Sequence, residues 1–515
     1  MPGFPGAPVR ADGAGVHPGS TWGYAVTTQA EHERAVVDAV PTGLFIAGGW
    51  RPAASGAVFE VEDPSVAKPL RTVADAGAED ALDALAAAHA AQESWAAHPP
   101  RERGEILRRA YELIHERLDD LALLMTLEMG KPLAEARGEV AYAAEFFRWF
   151  AEEAVRIDGG YAVSPDGKDR LLVMRRPVGP ALLITPWNFP LAMGTRKIGP
   201  AVAAGCTMIV KPAEQTPLSM LALAGIMAEA GLPDGVLNVI TSSRPGDVVE
   251  PLMRDGRVRK VSFTGSTAVG RLLIAQSAQE VLRVSMELGG NAPFIVCEDA
   301  DLDAAVEGAM QAKMRNIGEA CTAANRLYVH ESVSGEFARR LAQRMGGLTV
   351  GRGTEPGVDV GPLIDEDGRG KVRQLVGQAL DGGAKALTGA EPGAGDGYFY
   401  APTVLVDVPT GADLLHEEIF GPVAPVIPFS DENEVIAAAN ATPYGLVSYL
   451  FTENLRRAFR IAEALDTGMI GLNKGVVSNP AAPFGGVKQS GLGREGGRAG
   501  IEEFLETRYL AMPFS

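Results

Sequence analysis

The chain has 515 residues, more than one ordinary hydrophobic core organises, and so implies two or three domains. Hydrophobic residues make up 46% of it and charged residues 22%, the balance of a globular chain rather than a disordered one. A formal net charge of -18, with no dense Lys/Arg tract, argues against nucleic acid or an anionic membrane surface as a partner.

Residues 1–20 read as disordered, and a short helix is expected around Glu31–Val40. A short strand and turn at 44–53 open the folded region. Apolar helical spacing predicts helices over 78–96, 102–126 and 134–154. The third carries Phe146, Phe147, Trp149 and Phe150, a cluster suited to core or interface. A Gly-Gly turn and a PDG turn predict a hairpin over 158–178. Strands at 181–184, 207–210, 235–240 and 258–263, with a helix at 217–230, predict a mostly parallel sheet covered on both faces. A second α/β region starts near residue 289, with the strand APFIV and helices over 301–316, 332–345, 366–382 and EVIAAANATPYGL. The tail EEFLETRYLAMPF alternates as a strand suited to docking on another subunit.

Cys206, Cys297 and Cys321 have no metal-ligand spacing and are too few for a disulfide scaffold, which points to a reducing compartment. The N-terminus lacks the pattern of a secretory signal, and no apolar run reaches membrane length, so the cytoplasm is expected.

Four places carry candidate chemistry. There is no G-x-G-x-x-G, but VSFTGSTAVG sets Gly265 and Gly270 between a strand and a helix, where free N–H groups suit a pyrophosphate; a plain turn explains it equally. Cys321, in MRNIGEACTAANR, is a nucleophile or a small core residue, and its polar neighbours favour the former. Glu287, in SMELGGNAPF, is a general base raised by apolar surroundings or a structural acid. Asn188, in TPWNFP, is a neutral donor for an oxyanion or a plain loop amide.

TPWNFP, KPAEQTP, FTGS, ELGG, the Cys321 segment, EEIFGPV, PFGG and SGLGREG follow in this order. The set resembles the aldehyde dehydrogenase superfamily from about residue 45 to the end, and most of all its succinate-semialdehyde dehydrogenase branch. The resemblance implies two parallel-sheet α/β domains and a small β oligomerisation arm. It implies an extension at 1–43, a dinucleotide-binding domain at 44–157 and 179–288, a catalytic domain at 289–475, and the arm with a C-terminal return at 158–178 and 476–515.

By the same resemblance Cys321 is the nucleophile, Asn188 the oxyanion donor and Glu287 the base. Lys211 and Glu214 hold the adenosine ribose, and Thr185, Pro186 and Trp187 line the cofactor path. Gly265, Ser266 and Gly270 lie at the pyrophosphate. Leu288, Glu418 and Phe420 lie at the nicotinamide end. Glu214 repels a 2′-phosphate, so NAD is expected over NADP. VITSSRPG departs from the family pattern: Ser242 and Ser243 stand where Gly is usual, and Arg244 adds an unplaced charge. Arg196, Arg315 and Ser478 match positions that hold a distal carboxylate. The implied reaction is oxidation of succinate semialdehyde to succinate, with glutarate semialdehyde or broad aliphatic aldehydes as the alternative. Glu287 favours hydrolysis over acyl transfer to coenzyme A. Ala323 stands where some relatives carry a second cysteine, so no disulfide is expected there. A homodimer or homotetramer is implied, and a catalytic metal is not.

Overall fold

The computed structural model describes residues 28–391, 393 and 395–514; the disorder expected of residues 1–20 lies outside them. The first sheet has eight strands, running in space from Gly491–Leu492 through Arg283–Glu287, Lys260–Thr264, Ala181–Ile184, Met208–Lys211, Leu237–Val239 and Leu44–Ile46 to Gly49–Arg51. Its five middle strands are parallel and its edges antiparallel. ALLI and MIVK are buried along their whole length, because helices cover both faces.

The second sheet has seven strands, in the order Lys385–Thr388, Thr403–Val406, Val423–Phe429, Ala324–His330, Ala292–Val296, Val447–Phe451 and Met469–Leu472. All its pairs are parallel except the first. A third sheet joins Leu505–Pro513 to Asp169–Pro177 and that to Gly160–Val163, all antiparallel. The tail strand therefore pairs within its own chain, on the hairpin expected at 158–178. A two-stranded ribbon, Val58–Asp63 with Lys68–Ala74, completes the sheets. The α/β class and its layout agree with the expectation.

Two expectations need correction. The single helix over 102–126 is two, Pro100–Glu116 and Leu118–Met129, broken at Arg117 (φ -109°, ψ 19°). The first exposes one face, while the second is buried from Asp120 to Met129, so the axis turns inward between them. The helix Ala192–Ala204 has no counterpart in the sequence reading. Every residue in it is buried and it contains Pro200, so it shows neither a polar face nor an unbroken run.

Phe146, Phe147 and Phe150 are core residues on the Leu133–Glu153 helix, and Trp149 packs against the same cluster. They receive the Ala192–Ala204 helix at Gly199, where a Cβ would stand 3.0 Å from the Phe150 ring. That close contact packs the middle of the helix that follows the TPWNFP loop against the phenylalanines. Among the described residues no helix is long and apolar enough to cross a membrane.

Candidate active site

Strands Ala181–Ile184, Lys260–Thr264 and Arg283–Glu287 run parallel, so their carboxyl ends open on one side of the sheet. In a parallel sheet that edge is where ligands bind. There a cavity of about 380 Å³ is lined by Asn188, Glu287 and Cys321 together.

Cys321 follows a turn whose backbone is left-handed at Asn316 (φ 55°), Ile317 (φ 62°) and Gly318 (φ 81°). The Cys321 loop passes against ELGG, where a Cβ on Gly290 would stand 2.4 Å from the Cys321 carbonyl oxygen. Cys321 is half-buried, unlike Cys206 and Cys297, which are buried. Burial pushes its thiol up to about 12; Glu418 and Glu287 add to the rise, and Arg196 and Arg315 oppose it. At neutral pH it is a thiol and needs a base.

Glu287 ends its strand with its carboxyl buried and Oε2 unpartnered. Burial first, then the charge of Glu495, pushes that carboxyl well above the usual range, against Arg196, Lys197 and Arg494. A Cβ on Gly485 (φ 156°) would stand 2.8 Å from Glu287 Oε1, which accounts for the first glycine of PFGG. Asn188 is buried, its Nδ2 donating to the Glu319 carbonyl at 2.9 Å and its Oδ1 accepting from Phe189 N at 3.1 Å.

Arg196, Arg315 and Ser478 line the same cavity. Arg196 donates to the Tyr142 hydroxyl at 2.9 Å and to Glu495 Oε2 at 3.5 Å, while its guanidinium lies 4.2 Å above the Phe484 ring. Its Nε has no partner. Burial acts to lower its pKa, but Tyr142, Glu495, Cys321 and Glu287 together hold it above the ordinary value. Arg315 donates to Ser478 Oγ at 3.5 Å and lies 4.9 Å above the Phe189 ring. Two cations and a hydroxyl on a wall of aromatic faces suit a carboxylate.

Tyr142 escaped the sequence reading, although its ring lies within 6.0 Å of the Arg196 guanidinium and 5.7 Å of that of Arg315. The signal was present: Glu135, Glu139 and Tyr142 form a polar stripe, at i, i+4 and i+7, beside the buried alanines and phenylalanines of that helix.

The same cavity is also lined by Pro186, Trp187, Gly265, Ser266, Leu288, Glu418 and Phe420. Ser266 caps the helix Thr267–Ser277 by accepting from Val269 N at 3.3 Å, so a helix N-terminus borders the cavity. Gly270 is no turn glycine. It sits inside that helix, where a Cβ would stand 2.3 Å from Leu288, so it serves helix packing and does not line the cavity. Trp187 and Phe420 meet edge-on at 5.4 Å. Glu418 Oε1 accepts from Gly290 N at 3.1 Å, and burial raises its carboxyl to about 7.

Thr185, Lys211 and Glu214 lie outside the cavity lining. Lys211 is buried and pairs with Glu214 at 3.1 Å; burial lowers its pKa, and Glu214 opposes that. Ser243 donates through N and Oγ to the Asp75 carboxylate at 2.9 and 2.7 Å, and Ser242 Oγ lies 3.3 Å from the same group. Burial would raise Asp75, but these hydrogen bonds outweigh it and hold the carboxyl below its ordinary value. The serines that depart from the family pattern thus bind this chain's own acid. Arg244 is exposed and pairs with Asp247 at 3.4 Å.

A dinucleotide fits these residues: Thr264 Oγ1 is buried without a partner on the cavity wall, three residues before the helix Thr267–Ser277.

Residues 50–510 match the model of the aldehyde dehydrogenase family. The chain is 61% identical to a succinate-semialdehyde dehydrogenase of Paenarthrobacter nicotinovorans, over 86% of this chain and 98% of that one. It is 50% identical both to an NADP(+) succinate-semialdehyde dehydrogenase of Escherichia coli and to a glutarate-semialdehyde dehydrogenase of Pseudomonas aeruginosa, each over 91% of this chain and 97% of the relative. A crystal structure of succinate-semialdehyde dehydrogenase from Burkholderia pseudomallei superposes with a TM-score of 0.91 at 49% identity, over 92% of this chain and 98% of that one. The chain belongs to the aldehyde dehydrogenase family, and it is an NAD(P)-dependent aldehyde dehydrogenase.

Proposed function

We propose that the chain oxidises succinate semialdehyde to succinate with reduction of NAD(P)+. The observation that carries this reading is the pair Arg196 and Arg315, with Ser478, on the wall of the cavity that holds Cys321. An ω-carboxylate bound there fixes the aldehyde end of a short chain near the thiol.

Glu287 takes the Cys321 proton, a transfer its raised carboxyl suits once ionised. The thiolate attacks the aldehyde carbon, and the C=O electron pair becomes an oxyanion. The Asn188 side-chain amide and the Cys321 main-chain N–H donate to that oxygen. A nicotinamide dinucleotide, when bound by Trp187, Ser266, Leu288, Glu418 and Phe420, supplies the acceptor for the hydride lost by the Cys321 adduct. Cys321 then carries a thioester. Once its first proton has passed to solvent, Glu287 takes a proton from water as the water oxygen attacks that carbonyl, the C–S bond breaks with the Cys321 thiolate as leaving group, and the acid leaves.

Glu214 supports NAD over NADP, since a carboxylate accepts from ribose hydroxyls and repels a 2′-phosphate. The pairing of Arg244 with Asp247 leaves less charge for such a phosphate. The Escherichia coli relative, named for NADP(+), favours the opposite choice. The Pseudomonas aeruginosa relative favours glutarate semialdehyde as a second substrate, and one methylene changes binding by only about 1–3 kcal/mol. Exposed Tyr161, Tyr509 and Leu510 on the third sheet support a homodimer or homotetramer built through that arm. The buried thiols of Cys206 and Cys297 suit the cytoplasm.

Steady-state rates for succinate semialdehyde, glutarate semialdehyde and butanal, each with NAD and with NADP, test the reading. Succinate semialdehyde with NAD is expected to give the highest kcat/KM. Equal values for butanal would remove the role given to the arginines.

A further inference from the structure

Asn188 is held by more than its own loop. Its main-chain carbonyl accepts from Lys131 Nζ at 2.8 Å and from Asn316 Nδ2 at 3.0 Å. Asn316 Nδ2 also donates to the Glu319 carbonyl at 3.0 Å, and that carbonyl takes a hydrogen of the Asn188 amide at 2.9 Å. An amide nitrogen carries two hydrogens. Asn316 commits both to carbonyls, one on the Asn188 loop and one two residues before Cys321. Asn188 commits one to Glu319, and its Oδ1 receives Phe189 N, so the amide plane is fixed and one hydrogen remains for a ligand.

The anchors are themselves anchored. Lys131 pairs with Glu139, both buried, and Glu139 Oε1 accepts from Leu191 N and Ala192 N at 3.1 Å, at the start of the helix that follows Asn188. Glu135 Oε2, one turn earlier, accepts from Asn316 N at 2.8 Å. Asn316 is buried in left-handed backbone, a conformation Asn tolerates better than most residues.

We infer that Asn316 and Lys131 are positioning residues for the oxyanion site, setting the Asn188 amide against the Cys321 main-chain N–H before substrate arrives. This rests on the roles proposed above for Asn188 and Cys321. Donors held in place cost no reorganisation during reaction, and a displacement of about 1 Å costs about 100-fold.

Hydrolysis of p-nitrophenyl acetate without dinucleotide isolates this step. The Cys321 thiolate adds to the ester carbonyl, p-nitrophenolate leaves, and water then releases acetate and a proton, with no hydride transferred. Asn316→Gly keeps the left-handed backbone and removes both donors; Asn316→Asp keeps the size and replaces the NH2 group by oxygen. Each is expected to lower kcat by about 10–100-fold. The loss should be the same for the ester, succinate semialdehyde and butanal, with KM little changed; Tm falls as two buried hydrogen bonds are lost, and the comparison is made on folded enzyme. Wild-type ester turnover in a folded Asn316→Asp enzyme overturns the inference, as does a loss confined to the anionic aldehyde. Asn188→Ala, measured beside them, is expected to lose ester turnover. If it does and the Asn316 variants do not, the inference alone falls. If it does not, the oxyanion reading falls and takes the inference with it.

Discussion

Cys321 has neighbours that pull its thiol in opposite directions, and burial pushes it up to about 12. Reaction therefore depends on Glu287, whose carboxyl is also raised by burial and by Glu495. A base works only in its ionised form, so thioester hydrolysis should rise with pH beyond the ordinary carboxylate range and level off once Glu287 has ionised. Glu287→Gln should abolish that limb of the kcat profile and slow the single-turnover burst of NAD(P)H as well, since both proton transfers are assigned to it; a profile and burst unchanged by the substitution would place the base elsewhere. At the other end of the cavity, Tyr142→Phe removes the hydroxyl that accepts from Arg196. A hydrogen bond to a charged group contributes about 1.5–3 kcal/mol. KM for succinate semialdehyde should rise by about 10-fold or more, with that for butanal unmoved. Cys321, Asn188 and Glu287 were legible in the sequence only as members of an ordered motif set, because each alone is equally a core or loop residue. Tyr142 was marked only by its place in a polar stripe, with no motif around it, and Asn316 was hidden because its contribution is a pair of hydrogen bonds that joins its own turn to a loop distant in the chain.

Among the elements, the glycines of the motifs are where two segments pass too closely for a side chain. Gly290 meets the main-chain carbonyl of Cys321, which cannot swing aside as a side chain would. Gly290→Ala should cost about 1–3 kcal/mol through overpacking and reduce turnover by moving the nucleophile. Thermal unfolding and steady-state assay check both effects; an enzyme of unchanged Tm and rate would show that the two loops are not rigidly packed. Most helices and parallel strands were readable from periodicity, since each has one consistent pattern of burial. The Ala192–Ala204 helix was not, because total burial erases the polar face on which that reading depends. The break at Arg117 was missed for a related reason: both helices remain apolar enough to continue one pattern while their exposures differ.

At the scale of the whole molecule, one cavity collects residues from the first sheet, the loops that lead into the second sheet, and the segment near Ser478 that returns from it. The return segment adds Gly491–Leu492 to the first sheet and Leu505–Pro513 to the third, so the end of the chain ties the arm to the site. Truncation before Leu505 should expose the edge of Asp169–Pro177 and disrupt assembly, which light scattering would report as a smaller particle; unchanged mass would exclude the arm as the contact. The claim that unites these features is that an anionic tail is read by Arg196 and Arg315. The most direct test is the ratio of kcat/KM for succinate semialdehyde to that for butanal, in the wild type and in Arg315→Gln. The wild-type ratio should be about 100 or more, and the substitution should lower it by about 10-fold or more, mainly through KM for the acid. A wild-type ratio near unity, or a ratio that survives Arg315→Gln intact, would contradict the account.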